Sequence, residues 1–298
     1  MHSVKDFYKR DHILRASLPG QPFICLMIQG KQLVQDALNA HQMDPLSTIL
    51  LGDILLGTAL TAATLKGQQR VQFSFQKTVE GSGKLVAEAD ATGEVRGYCS
   101  SVNPDQSAET RNEMLRFALG KGQLSVTSWL KAEAQPTIST IEYLDNSPAE
   151  IFSQYFTESV QTPTACMVNV RLNDDYSVKS AYGYLIQAMP GSSKQARLQL
   201  EEHLKKLPPV YELAEQADTT EAIFMQMLEP LGEAVFKRHP VHFFCRCNAA
   251  RFENGMALLP KKDLLEMASE GTQTLKCHYC SKEYHITPDQ IRALVERR

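Results

Sequence analysis

Four cysteines near the end of the chain constrain its folding more than any other feature of the sequence. Cys245 and Cys247 form a C-x-C pair, and Cys277 and Cys280 form a C-x-x-C pair thirty positions further on. Two closely spaced cysteine pairs are typical of a tetrahedral zinc site with four thiolate ligands. We therefore predict that these four residues bind zinc, in preference to the alternative of four unliganded core cysteines.

The segment that carries the cysteines, 241–298, is predicted to be a small separate domain. Its sequence indicates a helix at 258–271 and a closing helix with a capping box formed by Thr287 and Gln290. About sixty residues with two short helices form a small core, and a bound metal would supply the missing stability. The nearby histidines are expected at the surface or behind the ligands; they are His242, His278 and His285.

The spacing of the cysteines leaves the role of the metal open. Zinc-bound thiolates are the form of cysteine that oxidants attack, and each pair is close enough to form a local disulfide. Such small loops stabilise little, whereas losing zinc forfeits roughly 10–16 kcal/mol of apparent binding free energy. Oxidation would then unfold 241–298. The spacing alone allows either this switch or a static structural zinc.

The first two-thirds of the chain are predicted to be an α+β domain built on antiparallel sheet, residues 1–191. The segments 22–28, 70–76, 164–172 and 181–189 have the apolar or alternating patterns of strands. Two strands are expected around Thr92–Gly93, another pair at 122–144, and a turn at 80–83. Helices are predicted at 31–42, 47–66 and 150–159. Cys25, Cys99 and Cys166 are expected to be core residues.

A charged region, 192–240, is predicted to be a helical linker between the two domains. The helix at 192–207 places Leu200, Leu204 and Leu207 on one face, and Pro208 ends it. A second helix at 218–231 has its apolar residues on one side. These faces indicate either ordinary packing on the α+β domain or a docked segment that can detach.

Composition and charge favour a soluble cytoplasmic protein. The apolar run 47–65 contains Asp53 near its centre, which is costly in a bilayer, so a buried helix is expected there. The N-terminus lacks the apolar region of a secretory signal. An odd count of seven cysteines argues against a secreted disulfide framework. A formal net charge of −3 gives no indication of nucleic-acid binding.

Several motifs together resemble the 33-kDa heat-shock protein family, also called HslO. They include "CRCNAAR" at 245–251, "LLPKKDLLEM" at 258–267 and "CHYCSKEYHI" at 277–286. In the first domain, "LLGTALTAATLK", "GSGKLVAEADATGEVRGY" and "LIQAMPG" are similar to family sequences. Asn248 stands where many members have Ser, and Ser281 stands where Gly is frequent. The resemblance covers nearly the whole chain.

The resemblance implies a redox-regulated, ATP-independent holdase chaperone rather than an enzyme. In the reduced, inactive monomer, Cys245, Cys247, Cys277 and Cys280 would bind one Zn²⁺ per chain. Oxidation would form Cys245–Cys247 and Cys277–Cys280 disulfides, release zinc and unfold the linker. The oxidised protein would dimerise and bind unfolding client proteins, preventing aggregation under oxidative stress.

Two other classes of function remain as alternatives. A static zinc ribbon bound to a nucleic-acid or ribosomal partner would need a basic face with aromatics, which only Lys261–Lys262 and the last three residues suggest. A thiol oxidoreductase would use Cys277 and Cys280 catalytically and would turn over disulfides, unlike a stoichiometric holdase.

Overall fold

The computed structural model describes residues 10–78, 84–100, 102, 107–130 and 135–296. The chain divides into two compact units, Met1–Phe243 and Phe244–Arg298. Residues 192–240 lie within the first unit, so their separate behaviour as a linker stays a prediction. The α+β class predicted from the sequence is confirmed, while the turn predicted at 80–83 lies outside the described residues.

The first unit contains the predicted strands and helices, together with some that the sequence did not indicate. Those additions are β1, α3, α6, β10 and β11. The full order is β1 His12–Ser17, β2 Phe23–Gln29, α1 Lys31–His41, α2 Pro45–Ala62, β3 Arg70–Lys77, β4 Leu85–Asp90, β5 Glu94–Cys99, α3 Arg111–Leu119, β6 Lys121–Trp129, β7 Thr137–Leu144, α4 Pro148–Glu158, β8 Thr164–Leu172, β9 Val178–Ala188, α5 Lys194–Lys206, α6 Val210–Gln216, α7 Thr220–Leu228, a 3₁₀ turn Glu229–Leu231, β10 Val235–Pro240 and β11 His242–Phe243.

Two sheets enclose the main core of the first unit. The first sheet has the strand order β10-β1-β2-β9-β8, and the second has the order β11-β5-β4-β3-β6-β7. Neighbouring strands are antiparallel except for β11, which runs parallel to β5 through His242 opposite Glu94. Alternation in β3 buries Val71, Phe73 and Phe75 in this core, as its sequence predicts.

Helix α2 lies in the middle of the main core and is buried along nearly its whole length. By length and composition alone this helix could cross a membrane, but 83% of its 18-residue apolar segment is buried inside the protein. The prediction of a buried core helix is therefore confirmed. Gly57 permits its closest packing, because a Cβ there would lie 2.1 Å from the ring of Phe152.

Strand β2 is buried on both faces and separates two hydrophobic cores. Leu26 and Ile28 belong to the main core on the α2 side, whereas Cys25 and Met27 belong to a second core on the opposite side. This explains why β2 has a continuous apolar sequence instead of an alternating one.

The linker helices cover the second core with the apolar faces that the sequence predicts. Leu200 of α5 and Phe224 of α7 are buried there, and Leu204 and Leu207 are half-buried against it. Arg238 of β10 forms an ion pair with Glu221 of α7 at 2.5 Å. The linker helices are thus packed on the first sheet by both apolar and charged contacts.

The packing of α5 on the sheet is incomplete. A groove of about 430 Å³ separates α5 from the sheet and is lined in part by Phe23, Tyr184 and Leu200. A second groove of about 230 Å³ lies where α5 meets α6 and shares Tyr184 and Leu204 with the first. Tyr184 and Leu204, which line both grooves, are therefore only half-buried, so this packing is less complete than that of the main core.

The second unit has three helices, one more than the sequence indicated, and a two-stranded sheet. Its order is α8 Ala249–Met256, α9 Lys261–Glu270, β12 Gln273–Lys276, β13 Glu283–Ile286 and α10 Pro288–Glu296. The predicted capping box is confirmed: the Gln290 side chain accepts from the Thr287 amide at 2.9 Å. Among the described residues, its buried hydrophobic core is a cluster of seven, namely Met256, Leu264, Ala268, Ile286, Ile291, Leu294 and Val295.

One charged residue, Asp53, is buried at the centre of α2. Its carboxylate accepts hydrogen bonds from Arg111 at 2.5 Å and from the Val170 amide at 3.0 Å. Burial raises the pKa of this carboxyl from 3.8 to about 6, although Arg111 acts in the opposite direction. The folded chain therefore favours the protonated acid more than the unfolded chain does.

We expect this shift to make the first unit more stable at low pH. The stabilisation is fully present below about pH 4 and is lost as the pH rises through about 6, by about 3 kcal/mol for a shift of about two units. Asp53→Asn should therefore make the fall in unfolding free energy between about pH 4 and 7 shallower. Urea unfolding followed by the fluorescence of Trp129, the single tryptophan, measures the slope.

A control substitution at the exposed Asp145, Asp145→Asn, should leave the slope as it is in the unsubstituted chain. Equal slopes in the unsubstituted chain and Asp53→Asn would contradict the expectation. The fluorescence reports the first unit alone, because Trp129 lies in β6. Changes at the cysteines of the second unit therefore do not enter the comparison directly.

Candidate metal centre

The C-x-C pair lies in the segment that leads into helix α8. Cys245 and Cys247 are half-buried, while Arg246 between them is exposed, so the extended chain turns both thiols to one side. Asn248 begins the helix as its N-cap and accepts a hydrogen bond from the Arg251 amide at 3.0 Å. Ser and Asn are both good N-caps, which gives a physical reason why either residue suits this position.

The C-x-x-C pair lies in the turn between β12 and β13. The Cys277 amide donates to the Lys282 carbonyl at 2.9 Å, and the Ser281 amide donates to the Cys277 carbonyl at 2.8 Å. Ser281 has φ of 58°, in the left-handed region that favours glycine. This conformation explains why Gly suits the position and indicates that Ser is strained there.

The two pairs meet, and their four sulfurs form one cluster. All four Sγ atoms lie within 4.8 Å of one another. Across the two halves, Cys245 Sγ is 3.8 Å from Cys277 Sγ, and Cys247 Sγ is 3.4 Å from Cys280 Sγ. A tetrahedral zinc with Zn–S bonds of about 2.3 Å separates its sulfurs by about 3.8 Å. The four cysteines are not joined by disulfides, and the cluster could hold a metal ion.

The histidines of this unit lie outside the cluster of ligating atoms. His278 is exposed, and His285 is exposed with its Nδ1 3.0 Å from the Thr274 hydroxyl. The metal-binding group found among the described residues consists of the four cysteines alone. The chemistry of this donor set, four soft sulfurs at tetrahedral spacing, fits zinc.

Tyr284 is a site residue that the sequence reasoning did not single out. Its hydroxyl lies 3.1 Å from Cys247 Sγ and donates to the Cys247 carbonyl at 3.0 Å. Its ring packs on Phe252, with centroids 4.9 Å apart, and Lys282 Nζ lies 5.4 Å from its centroid. The only sequence signal was an aromatic residue in the short strand that follows C-x-x-C.

The electrostatics of the cluster are uneven. Burial acts to raise the pKa of Cys247, but hydrogen bonds from Tyr284 and from the other thiols outweigh it and lower that pKa. Burial is the main cause of a raised pKa at Cys280. Four close thiols cannot all ionise without a compensating positive charge, which a bound metal cation supplies.

The remaining cysteines lie elsewhere, as predicted. Cys25 is fully buried in β2 beneath the linker helices, and burial raises the pKa of its thiol to about 12. Burial likewise raises the pKa of Cys99 and of Cys166 to about 12. These three thiols therefore stay protonated near neutral pH and are poor nucleophiles.

The fold and the site define a class of protein: an α+β unit of two sheets, followed by a small unit organised around four cysteines. A solved structure from Thermotoga maritima, titled 33 kDa chaperonin (HSP33), has the same fold. It superposes with a TM-score of 0.83 at 24% sequence identity, covering 96% of this chain and 98% of that one.

Sequence comparison gives the family. The family model described as Hsp33 protein matches residues 11–287. The 33 kDa chaperonin of Symbiobacterium thermophilum is 33% identical over 286 residues, 94% of this chain and 96% of that protein. The 33 kDa chaperonin of Desulforamulus reducens is 28% identical over 97% of this chain and 98% of its own length. The chain belongs to the Hsp33 family of chaperones, which confirms the resemblance seen in its motifs.

We expect Ser281→Gly to stabilise the hairpin of β12 and β13. Ser281 has a φ of 58°, and removing the backbone strain of a non-glycine residue there should stabilise the folded hairpin by about 1 kcal/mol. The net gain is smaller, because glycine has more conformational entropy in the unfolded chain. Amide hydrogen exchange of residues 273–286, measured on the reduced protein with zinc, should slow by up to about fivefold.

Gly271→Ala is the matched control with the opposite sign. Gly271 has φ of 113°, and nothing lies within 4 Å of where its Cβ would be, so only backbone strain is added. Exchange should therefore be faster in this variant. Unchanged or faster exchange in Ser281→Gly would show that the turn is not strained.

Proposed function

We propose that this chain is a redox-regulated, ATP-independent holdase whose reduced form binds one zinc ion through Cys245, Cys247, Cys277 and Cys280. The observation that carries the proposal is the gathering of four Sγ atoms within 4.8 Å from two local pairs. Membership of the Hsp33 chaperone family supports the holdase activity. Zinc, when bound, would hold the sulfurs as thiolates and join the two halves of the small unit.

Oxidation would convert each pair into its own disulfide, Cys245–Cys247 and Cys277–Cys280. One thiolate attacks a hydroperoxide, forming an S–O bond while the O–O bond breaks and the hydroxide or alkoxide leaves. The second thiolate of the pair attacks that sulfur, forming the S–S bond and releasing hydroxide. Each disulfide consumes one equivalent of oxidant, and a bound zinc ion would lose the two sulfurs of that pair as ligands.

The energetics favour unfolding of the second unit after oxidation. Its buried core of seven residues is too small to supply much stability alone. Losing zinc forfeits roughly 10–16 kcal/mol of apparent binding free energy. Disulfides that close loops of one or two intervening residues restore little of it. The zinc cross-link between the C-x-C and C-x-x-C pairs would thereby be replaced by two local disulfides, one within each pair.

The linker helices are proposed as the second part of the switch. Strands β10 and β11 connect the linker helices, which end at Leu231, to the C-x-C pair, which begins two residues after β11. The grooves of about 430 and 230 Å³ beside α5 and α6 leave this packing less complete than that of the main core. Detachment would expose the second core, including Phe224 and Met227.

An exposed second core would bind the apolar segments of unfolding client proteins without using ATP. The same apolar surface would drive the oxidised chain to dimerise, while the reduced chain, with its linker docked, would be a monomer. A reducing cytoplasm would keep the four thiols reduced until oxidative stress occurs.

We expect hydrogen peroxide with mild heat to release zinc and activate the protein together. Reduced protein should release about one zinc per chain to a chromophoric chelator, lose four titratable thiols, and then suppress light scattering by a chemically denatured client. Suppression should saturate at a fixed ratio of chaperone to client, since a holdase binds stoichiometrically. If zinc stayed bound and client aggregation were unaffected, the proposed switch would be wrong.

Cys245→Ser is the control for the ligand assignment. Removing one sulfur should weaken zinc binding and speed hydrogen exchange across 244–296 even under reducing conditions. Cys25→Ser, at a buried thiol of the other unit, should leave zinc content unchanged. Catalytic turnover of disulfides by the unsubstituted chain would instead support a thiol oxidoreductase.

A further inference from the structure

Tyr284 connects the two halves of the cysteine cluster without belonging to the ligand set. It lies on β13, after the C-x-x-C pair, yet its hydroxyl contacts Cys247 of the C-x-C pair. The register of the hairpin places Tyr284 opposite Leu275, two residues before Cys277. The phenol therefore reaches from the second half of the site to a sulfur of the first.

The position of the Tyr284 hydroxyl is fixed from two directions. The aromatic ring packs against Phe252 of α8 at an interplanar angle of 34°, and the hydroxyl is 3.0 Å from the Cys247 carbonyl. The same hydroxyl is 3.1 Å from Cys247 Sγ, within the range for a hydrogen bond to sulfur. Its single proton can thus be shared between a carbonyl oxygen and a sulfur of one residue.

A hydrogen bond to a thiolate changes the reactivity of that thiolate. The donor withdraws electron density from the sulfur, so the sulfur becomes a weaker nucleophile toward a peroxide oxygen. The hydrogen bond must also be lost or weakened when Cys247 forms a neutral disulfide, because a disulfide sulfur is a poorer acceptor. In the zinc-loaded protein, where the metal would already hold Cys247 as a thiolate, both effects slow oxidation of the pair that contains Cys247.

We infer that Tyr284 is a positioning residue that restrains oxidation of the Cys245–Cys247 pair through its hydrogen bond to Cys247 Sγ. This inference rests on the proposed function, because it concerns the same two disulfides. The reaction is the one already described: a thiolate attacks a hydroperoxide, hydroxide leaves, and the second thiolate displaces hydroxide to form the disulfide. Tyr284 enters it only by lowering the electron density on one sulfur.

The test is the rate of each disulfide in Tyr284→Phe. Reduced, zinc-loaded protein is treated with hydrogen peroxide, quenched by alkylation at intervals, and the Cys245–Cys247 and Cys277–Cys280 pairs are quantified separately by mass spectrometry. A hydrogen bond worth about 1 kcal/mol corresponds to about fivefold, so the first pair should oxidise about fivefold faster in the variant. The Cys277–Cys280 rate should stay within about twofold.

Phe252→Leu is the matched control, since it alters the packing of the ring but keeps the hydroxyl. A purely structural role for Tyr284 predicts that Phe252→Leu and Tyr284→Phe accelerate both pairs alike. The inference predicts selective acceleration of Cys245–Cys247 in Tyr284→Phe alone.

A spectroscopic measurement keeps the inference testable if the variant is less stable. In protein loaded with Co²⁺ instead of zinc, losing a hydrogen bond to a thiolate raises the energy of the sulfur electrons. The sulfur-to-cobalt charge-transfer band of Tyr284→Phe should therefore move to longer wavelength. An unmoved band, or equal rates for the first pair in both proteins, would overturn the inference.

The outcomes also separate this inference from the proposed function. If the unsubstituted chain formed neither disulfide under peroxide, the proposed function would fail. If both disulfides formed but Tyr284→Phe left either the rate of the first pair or the band unchanged, the role of Tyr284 alone would fail.

Discussion

The gathering of four thiols from two distant pairs is the constraint on which the second unit depends. Its buried core of seven residues cannot by itself offset the conformational entropy of about fifty ordered residues. The cluster brings together the start of α8 and the β12–β13 turn, neither of which contributes a residue to that buried core. If zinc binds this cluster as proposed, one kind of reaction, oxidation of its thiolates, would remove the cross-link and unfold the unit.

The first unit has two hydrophobic cores, and the main core is packed more completely than the second. Helix α2 is enclosed between two sheets, and Gly57 lets Phe152 approach it closely. On the far side of the first sheet, the linker helices leave grooves beside Tyr184 and Leu204. Met27 of the sheet is buried in the same hydrophobic core as Leu200 and Phe224 of those helices. The linker helices are thus the less completely packed layer of this unit, and they cover apolar residues of the first sheet.

Much of this arrangement could be predicted from the sequence, because regular patterns report local structure well. Alternating apolar residues predicted β3, and a continuous apolar run predicted β2. The leucines of 192–207 predicted which face of α5 packs on the sheet. The two closely spaced cysteine pairs predicted the thiol cluster, because such pairs are typical of a metal site with four sulfur ligands. Cys25 was rightly expected to be a core residue rather than a ligand.

Other features depend on contacts that no local pattern reports. Strand β10 lies at a sheet edge opposite β1, and its sequence, rich in charge, does not alternate clearly. Helix α8 is only eight residues long and follows directly on the C-x-C pair. The hydroxyl of Tyr284 reaches Cys247 only because the hairpin folds back on α8. Asp53 was visible as a charge in an apolar run, but its partner Arg111 lies 58 positions away.

Coupling between the cysteine cluster and the linker helices is the central claim, and hydrogen exchange tests it most directly. Amides of residues 194–231 are followed by mass spectrometry while released zinc is measured in the same sample, before and after peroxide. The account predicts that these amides are protected in the reduced protein and lose protection as zinc is released. Zinc release with full protection of 194–231 would contradict it, because the linker helices would then remain docked after the metal had gone.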